Sequence, residues 1–130
     1  MKNLKQIPDI NFRNKLKKLF PEAFENELLD INNGKVASCK KLDLYFLNIK
    51  DLTGIEWFVN LGKLSCAYCQ LTILPELPKT LKNLFCYNNQ LTSLPALPAA
   101  LEKLDCSNNN FTGNENVFID SEGRIIYIPF

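Results

Sequence analysis

From Leu61 to Thr112 the chain repeats itself every 20 residues: LGKLSCAYCQLTILPELPKT, LKNLFCYNNQLTSLPALPAA, then LEKLDCSNNNFTGN. Leu61, Leu81 and Leu101 fall in step, as do Leu64, Leu84 and Leu104, and Cys66, Cys86 and Cys106. Leu71, Leu91 and Phe111 make a further column, and Leu74–Pro75 and Leu77–Pro78 recur as Leu94–Pro95 and Leu97–Pro98. Several apolar columns repeating together restrict such a chain to a coil of short units, each burying its apolar face against the next. The L-x-C run of each unit alternates apolar and polar residues, which predicts a short strand with Leu and Cys pointing inward. Stacked strands of this kind form a parallel sheet about 4.8 Å apart. A unit of 20 residues leaves no room for an α-helix on its return side. L-P-x-L-P suits an extended return, because proline fixes φ and disfavours helix in the residue before it.

Asn89 and Asn109 follow their strands at one register. A buried amide there can bond the free backbone groups of its own coil and of the adjacent one. Cys69 and Leu47 stand at the same position in the preceding units, so the ladder is expected to weaken toward the N-terminal side. Residues 39–60 read as an irregular unit of 22 residues. In it Leu42 and Leu44 match Leu64 and Cys66, while Ile49, Leu52 and Ile55 match Leu71, Leu74 and Leu77. Trp57 and Phe58 fill its longer return, where a wider core would meet the N-terminal segment.

That segment begins with a capping signal, Asp9 or Asn11, before Phe12, Leu16, Leu19 and Phe20 at helical spacing. Pro21 stops the helix. Arg13, Lys15, Lys17 and Lys18 occupy its other positions. They could form an anionic-surface or nucleic-acid patch, but a solvated helix face is the plainer reading. Ala23, Phe24, Leu28 and Leu29 suggest a second short helix, and Asn32–Asn33–Gly34 a turn. Asp30, Asn32 and Gly34 echo a calcium loop without its spacing or closing glutamate. At the other end, Val117–Ile119 and Arg124–Ile128 read as a hairpin around Asp120–Gly123 that shields the last coil.

A chain of 130 residues suits one domain and buries roughly two thirds of its unfolded surface, enough for a core without metal or disulfides. The net charge of +1 gives no global footprint for nucleic acid. No apolar run approaches the roughly 18 residues of a membrane span, and Met1–Asn11 lacks the apolar core of a secretory signal. There is no histidine, which removes Ser-His-Asp and Cys-His catalysis and histidine metal ligation. No phosphate- or dinucleotide-binding glycine motif occurs. Cys66-Ala-Tyr-Cys69 has the spacing of a redox pair or half a zinc site, but Cys66 falls in the inward column and Cys69 in the ladder column. The repeat accounts for both as structural cysteines. The cysteine total, five, is odd; free thiols, a reducing compartment and a cytoplasmic location are therefore expected. Neither a cofactor nor a metal is expected.

Leu-Pro-Glu-Leu-Pro at 74–78, Asn-Asn-Gln-Leu-Thr-Ser-Leu-Pro at 88–95 and Leu-Asp-Cys-Ser-Asn-Asn at 104–109 resemble bacterial leucine-rich repeat proteins. The L-P-x-L-P unit is similar to the repeats of type III secreted effectors. Ile7–Phe12 and Asp51-Leu-Thr-Gly-Ile-Glu-Trp57 look like the N-terminal cap and first repeat of internalin-like surface proteins. The resemblance covers about residues 7–112. With the repeat reading it implies an α+β solenoid: a leucine-rich repeat coil with short parallel strands, an N-terminal α-helical cap and a C-terminal β-hairpin cap. The expected divisions of the single domain, 1–130, are 1–38 for the first cap, 39–112 for the repeats and 113–130 for the second cap.

The outward strand positions would line the concave face of such a coil. They carry Tyr45, Phe46, Lys63, Tyr68, Phe85, Tyr87, Asn88 and Lys103. Aromatics on neighbouring strands with lysines along one margin suit a protein-binding surface; packing on one another without a partner is the structural alternative. Asp43 and Asp105 share a register three strands apart, roughly 14 Å, too far for carboxylates acting together in glycoside hydrolysis. The expectation is a non-enzymatic, monomeric protein-binding module that takes a protein partner, with no role for nucleic acid or membrane. A cytoplasmic inhibitor of a toxin enzyme and the recognition fragment of a larger effector are the alternatives.

Overall fold

The computed structural model describes residues 1–111, 115–119 and 125–129, the last two segments as backbone. Its elements run β1 (Leu4–Gln6), α1 (Ile10–Leu19), β2 (Phe24–Glu25), β3 (Leu28–Asp30), α2 (Gly34–Ala37), β4 (Lys41–Asp43), β5 (Lys63–Ser65), β6 (Asn83–Phe85), β7 (Lys103–Asp105), β8 (Glu115–Ile119) and β9 (Ile125–Pro129). Single 3₁₀ turns occupy Pro21–Ala23 and Ile55–Trp57.

Strands β4 to β7 form one parallel sheet in chain order. Its register is the one the repeat dictates: Leu42, Leu64, Leu84 and Leu104 pair in succession. Each of these leucines is buried, as are Leu44, Cys66, Cys86 and Cys106 in the next inward column. The irregular unit behaves as its spacing predicts. Ile49, Leu52 and Ile55 are inaccessible, at the levels where Leu71, Leu74 and Leu77 are buried in the following coil. The prolines keep the returns at 72–80 and 92–100 free of helix. Thr80 fastens two neighbouring coils, its hydroxyl donating to the carbonyls of Val59 (3.1 Å) and Leu61 (2.8 Å).

Asn89 joins neighbouring repeat units. Its Oδ1 accepts from the N–H groups of Cys69, Gln70 and Leu71 at 2.9–3.0 Å. Its Nδ2 donates to the carbonyls of Cys66, Cys86 and Tyr87 at 2.9, 3.0 and 3.3 Å. Three N–H groups can converge because Gln70 is in left-handed backbone, at φ 87°, which turns successive amides into one concavity. Asn109 repeats the donor pattern but accepts only from Leu91, at 3.0 Å. Cys69 supplies the donor half alone: its thiol points to the carbonyls of Leu44 (3.1 Å) and Ala67 (3.6 Å).

The N-terminal segment departs from expectation. Asp9 caps α1 as anticipated, its Oδ1 accepting from Asn11 N (2.9 Å) and Phe12 N (3.0 Å). Residues 24–30, however, form no second helix. They are β2 and β3, which join β1 in an antiparallel sheet of order β1-β3-β2. Asn26, at φ 54°, reverses the chain between them. Leu28 and Leu29 alternate exposed and buried as a strand requires. The N-terminal segment, expected as a helical cap, is therefore a helix with a small sheet. Asn32–Asn33–Gly34 leads into the one-turn helix α2, capped by the Asn33 side chain on Lys35 N at 2.9 Å. Asp30, the first residue of the calcium-loop echo, instead accepts from Asn3 N (2.9 Å) and Asn32 N (3.0 Å). These bonds, the Asn3 one first, hold its carboxyl below the usual range.

The N-terminal segment and the first repeat unit are bonded together. The second oxygen of Asp9 accepts from Lys50 N (2.9 Å) and Asp51 N (3.1 Å), and Asn11 donates to Asn48 O at 2.9 Å. Phe20 packs on the inaccessible Phe58 with ring centroids 6.0 Å apart, which fills the wider return of the first unit. Gly54 is required there: at φ 114° it sits in backbone that side chains rarely adopt, and a Cβ on it would lie 2.5 Å from Ile7 Cδ1. At the other end β8 and β9 pair antiparallel, Glu115 opposite Pro129 through Ile119 opposite Ile125. The turn expected at 120–123 lies outside the described residues.

Candidate functional site

The outward residues of β4–β7 and of the turns that follow make one continuous surface. Alternation along each strand exposes Lys41 and Asp43 while burying Leu42, and the parallel register carries the same pairing across the sheet. Lys41 stands opposite Lys63, Lys63 opposite Asn83, and Asn83 opposite Lys103.

The aromatic residues form a connected cluster. Tyr68 lies at its centre, with ring centroids 5.5 Å from Tyr45, 5.7 Å from Phe46 and 5.8 Å from Tyr87. Tyr45 and Phe46 are 5.8 Å apart. Ala67 stands at the strand register between Tyr45 and Tyr87, where alternation points a residue outward, yet it is inaccessible. Its small side chain leaves room for the Tyr68 ring, which meets Tyr45 and Tyr87 edge-on. The rings pack together and remain open to solvent on their outer side: Tyr45 is 46% exposed, Phe46 67% and Tyr68 41%. Partial desolvation, then Tyr45 and Asp105 nearby, push the Tyr87 hydroxyl above its ordinary pKa, so it is a hydrogen-bond donor at neutral pH.

Two of these aromatics sit where backbone sterics oppose them. Phe46 has φ 62° and Tyr68 φ 56°; at the same register Asn88 and Asn108 have φ 54° and 55°. Asparagine tolerates the left-handed region, whereas a bulky side chain there costs about 1–2 kcal/mol.

A groove of about 730 Å³ runs beside the cluster, between the sheet and α1. Tyr45, Lys63, Phe85 and Tyr87 line it, as the outward pattern suggests. Lys63 Nζ lies over the Phe85 ring at 5.6 Å, a cation–π contact. Phe46, Tyr68, Asn88 and Lys103 lie outside the groove. Phe46 and Tyr68 pack on each other, Asn88 accepts from Asn108 at 3.3 Å, and Lys103 starts β7.

The far wall, Lys15 and Leu19 of α1, was missed by sequence reasoning. Lys15 reads as part of a solvated face and Leu19 as part of the buried stripe. The structure buries Phe12 and Leu16 but leaves Leu19 43% exposed. Helical spacing shows which residues share a face, not which neighbour that face meets.

Asp43 and Asp105 have local duties. Asp43 accepts from Tyr45 N at 3.1 Å, and Asp105 from Ser107 N (3.1 Å) and Oγ (2.7 Å). All five cysteines are free. Cys66 and Cys69 are inaccessible. Burial pushes the Cys66 thiol far up, and the Cys106 thiol to about 11. Such thiols remain protonated and unreactive at neutral pH. Among the described residues no three histidine, cysteine, aspartate or glutamate side chains converge as metal ligands, and no helix is long and apolar enough to cross a membrane.

The family model for Leucine Rich Repeat matches residues 100–121. No curated protein matches the chain. The match supports a leucine-rich repeat protein, and the in-register parallel sheet of four strands is compatible with a repeat fold. Leucine-rich repeats suggest, in general, a protein-interaction module.

Proposed function

We propose that the chain is a non-enzymatic module that binds a protein partner through the exposed face of the β4–β7 sheet and the turns above it. The observation that carries this reading is the placement of Phe46 and Tyr68. Both are exposed, both join one aromatic cluster, and both occupy left-handed backbone where the same chain elsewhere uses asparagine. A solvent-exposed aromatic held against its backbone preference contributes little to folding. Large, rigid aromatics in a cluster are the residues that dominate protein–protein affinity. The finer reading, a bacterial protein with an internalin-like N-terminal cap and effector-like repeats folded as a solenoid, rests on the sequence resemblance. The free thiols, four of the five buried, support a reducing, cytoplasmic setting.

Affinity capture from the source cells with wild-type protein and with Tyr68→Ala/Tyr87→Ala tests the site. A bound protein lost by the folded variant supports the sheet face. A bound protein retained by that variant overturns it. If the captured protein is an enzyme whose activity falls on binding, the inhibitor reading replaces that of a passive module.

A further inference from the structure

We infer that the groove between α1 and the sheet takes an acidic, amphipathic segment of the partner protein, with carboxylates on one flank and apolar side chains on the other. This rests on the sheet-face reading above and specifies its ligand.

The charge around the groove differs from that of the whole chain. The groove is lined by Lys15, Lys41 and Lys63 against one carboxylate, Asp43, although the net charge of the chain is only +1. Asp43 already accepts a hydrogen bond from its own turn. The ion pairs among the described residues join Lys2 to Glu25, and Arg13 and Lys17 to Glu27; none uses a groove lysine. Lys41 and Lys63 are register partners on adjacent strands, about 4.8 Å apart. A carboxylate placed between their ammonium groups meets both.

The same groove has an apolar side. Tyr45 and Tyr87 stand four residues further along the chain than Lys41 and Asn83 in the repeat register, about 13 Å for extended backbone. Leu19 adds an exposed apolar patch on the α1 wall. A segment lying across the strands would therefore meet Lys41 and Lys63 at the strand starts and the Tyr45 and Tyr87 rings beyond them, with Phe85 beneath the Lys63 ammonium. The volume of about 730 Å³ is in the range of roughly 300–1,000 Å³ typical of pockets for small ligands, so it admits a short segment rather than a folded domain. Nucleic acid would meet only a short row of lysines, interrupted by Asn83 and accompanied by Asp43 and Asp105.

Selection from a displayed random-peptide library, with wild-type protein and with Lys41→Glu/Lys63→Glu, tests the proposal. Both lysines are exposed, so the exchange leaves the core intact, which the unfolding midpoint verifies. Wild type is expected to enrich peptides in which Asp or Glu accompanies Leu, Phe or Tyr. The double variant should bind those peptides at least about tenfold more weakly and enrich Lys and Arg instead. Wild-type peptides with no acidic excess, or acidic peptides bound equally by the double variant, would overturn it. So would a failure to enrich any peptide, or a single-stranded oligonucleotide that binds through the same lysines and displaces the peptides. Peptides without acidic excess that are lost with Tyr68→Ala/Tyr87→Ala would keep the sheet face as the site and remove only its acidic ligand. Peptides indifferent to both variants would remove both.

Discussion

The first two coils and the last two are built on one pattern but solve the same turn differently. After β6 and β7 the turn carries Asn88–Asn89 and Asn108–Asn109. The first asparagine takes the left-handed backbone and the second bonds the coil before it. After β4 and β5 the same two positions hold Phe46–Leu47 and Tyr68–Cys69. Left-handed backbone is then occupied by a ring that sterics disfavour, and the ladder slot by a residue that cannot accept three amides. The C-terminal coils follow local rules at this turn; the N-terminal coils break them where the aromatic surface is built. Loss at the turn is offset from outside the repeat. Asp9 binds Lys50 and Asp51, and Asn11 binds Asn48, so the cap supplies the first coil with bonds that the ladder does not. The difference teaches that a repeat can trade regularity for an exposed surface where a neighbouring element compensates.

The largest expected effect is at Asn89. Asn89→Ala removes six hydrogen bonds and leaves buried backbone groups without partners. It should destabilise the protein by about 3 kcal/mol or more, read from the urea midpoint. Asn109→Ala loses four bonds at a partly exposed site and should cost about half as much. Equal losses would break the claim that the ladder is strongest between the second and third coils.

Asp9→Ala comes next. It removes the helix cap and both bonds to the first coil, and about 2 kcal/mol should be lost. Amide exchange should quicken in residues 48–52 more than in 88–91. Uniform acceleration would show that the cap does not specifically support the first coil.

Phe46→Asn and Tyr68→Asn should move the other way, raising stability by up to about 1 kcal/mol each while weakening partner binding. Cys69→Asn should add a comparable amount by completing the ladder to residues 47–49, where Asn48 at φ 56° matches Gln70 at φ 87°. Stability that falls in Phe46→Asn and Tyr68→Asn would mean that ring packing outweighs the strain, and a fall in Cys69→Asn would mean that residues 47–49 do not bond an amide placed there.

The smallest effect concerns acid. Glu27 is held below its usual 4.5, first by its hydrogen bond from Lys17, and Asp30 below 3.8, first by its bond from Asn3. A carboxyl whose folded pKa is depressed contributes fully above its unfolded value and loses that contribution as pH falls through the folded one. Cap stability should therefore be level above about pH 5 and decline only below about pH 4.5, with amides of β1 and β3 exchanging first. Loss of the β6–β7 amides before those of the cap would break the assignment.

The columns of Leu64, Leu84 and Leu104, and of Cys66, Cys86 and Cys106, determine the parallel sheet and its register by themselves. Each unit must bury its apolar face on an identical neighbour, and a period of 20 residues permits only one alignment. Asp9 as a helix cap, the amide ladder and the outward aromatics are legible for the same reason: their partners lie within the repeat or a few residues away. Tertiary structure alone decided the rest. Residues 24–30 became strands because β1, far away in the chain, offered them an edge, whereas their composition also fits a short helix. Ala67 is buried at an outward register position, while the Tyr68 ring packs between Tyr45 and Tyr87. The groove exists because α1 stands across from the sheet, so that Lys15 and Leu19 share its lining with Tyr45 and Lys63. A periodic pattern encodes contacts between equivalent positions; contacts between unlike elements depend on how those elements dock, and no local spacing records that.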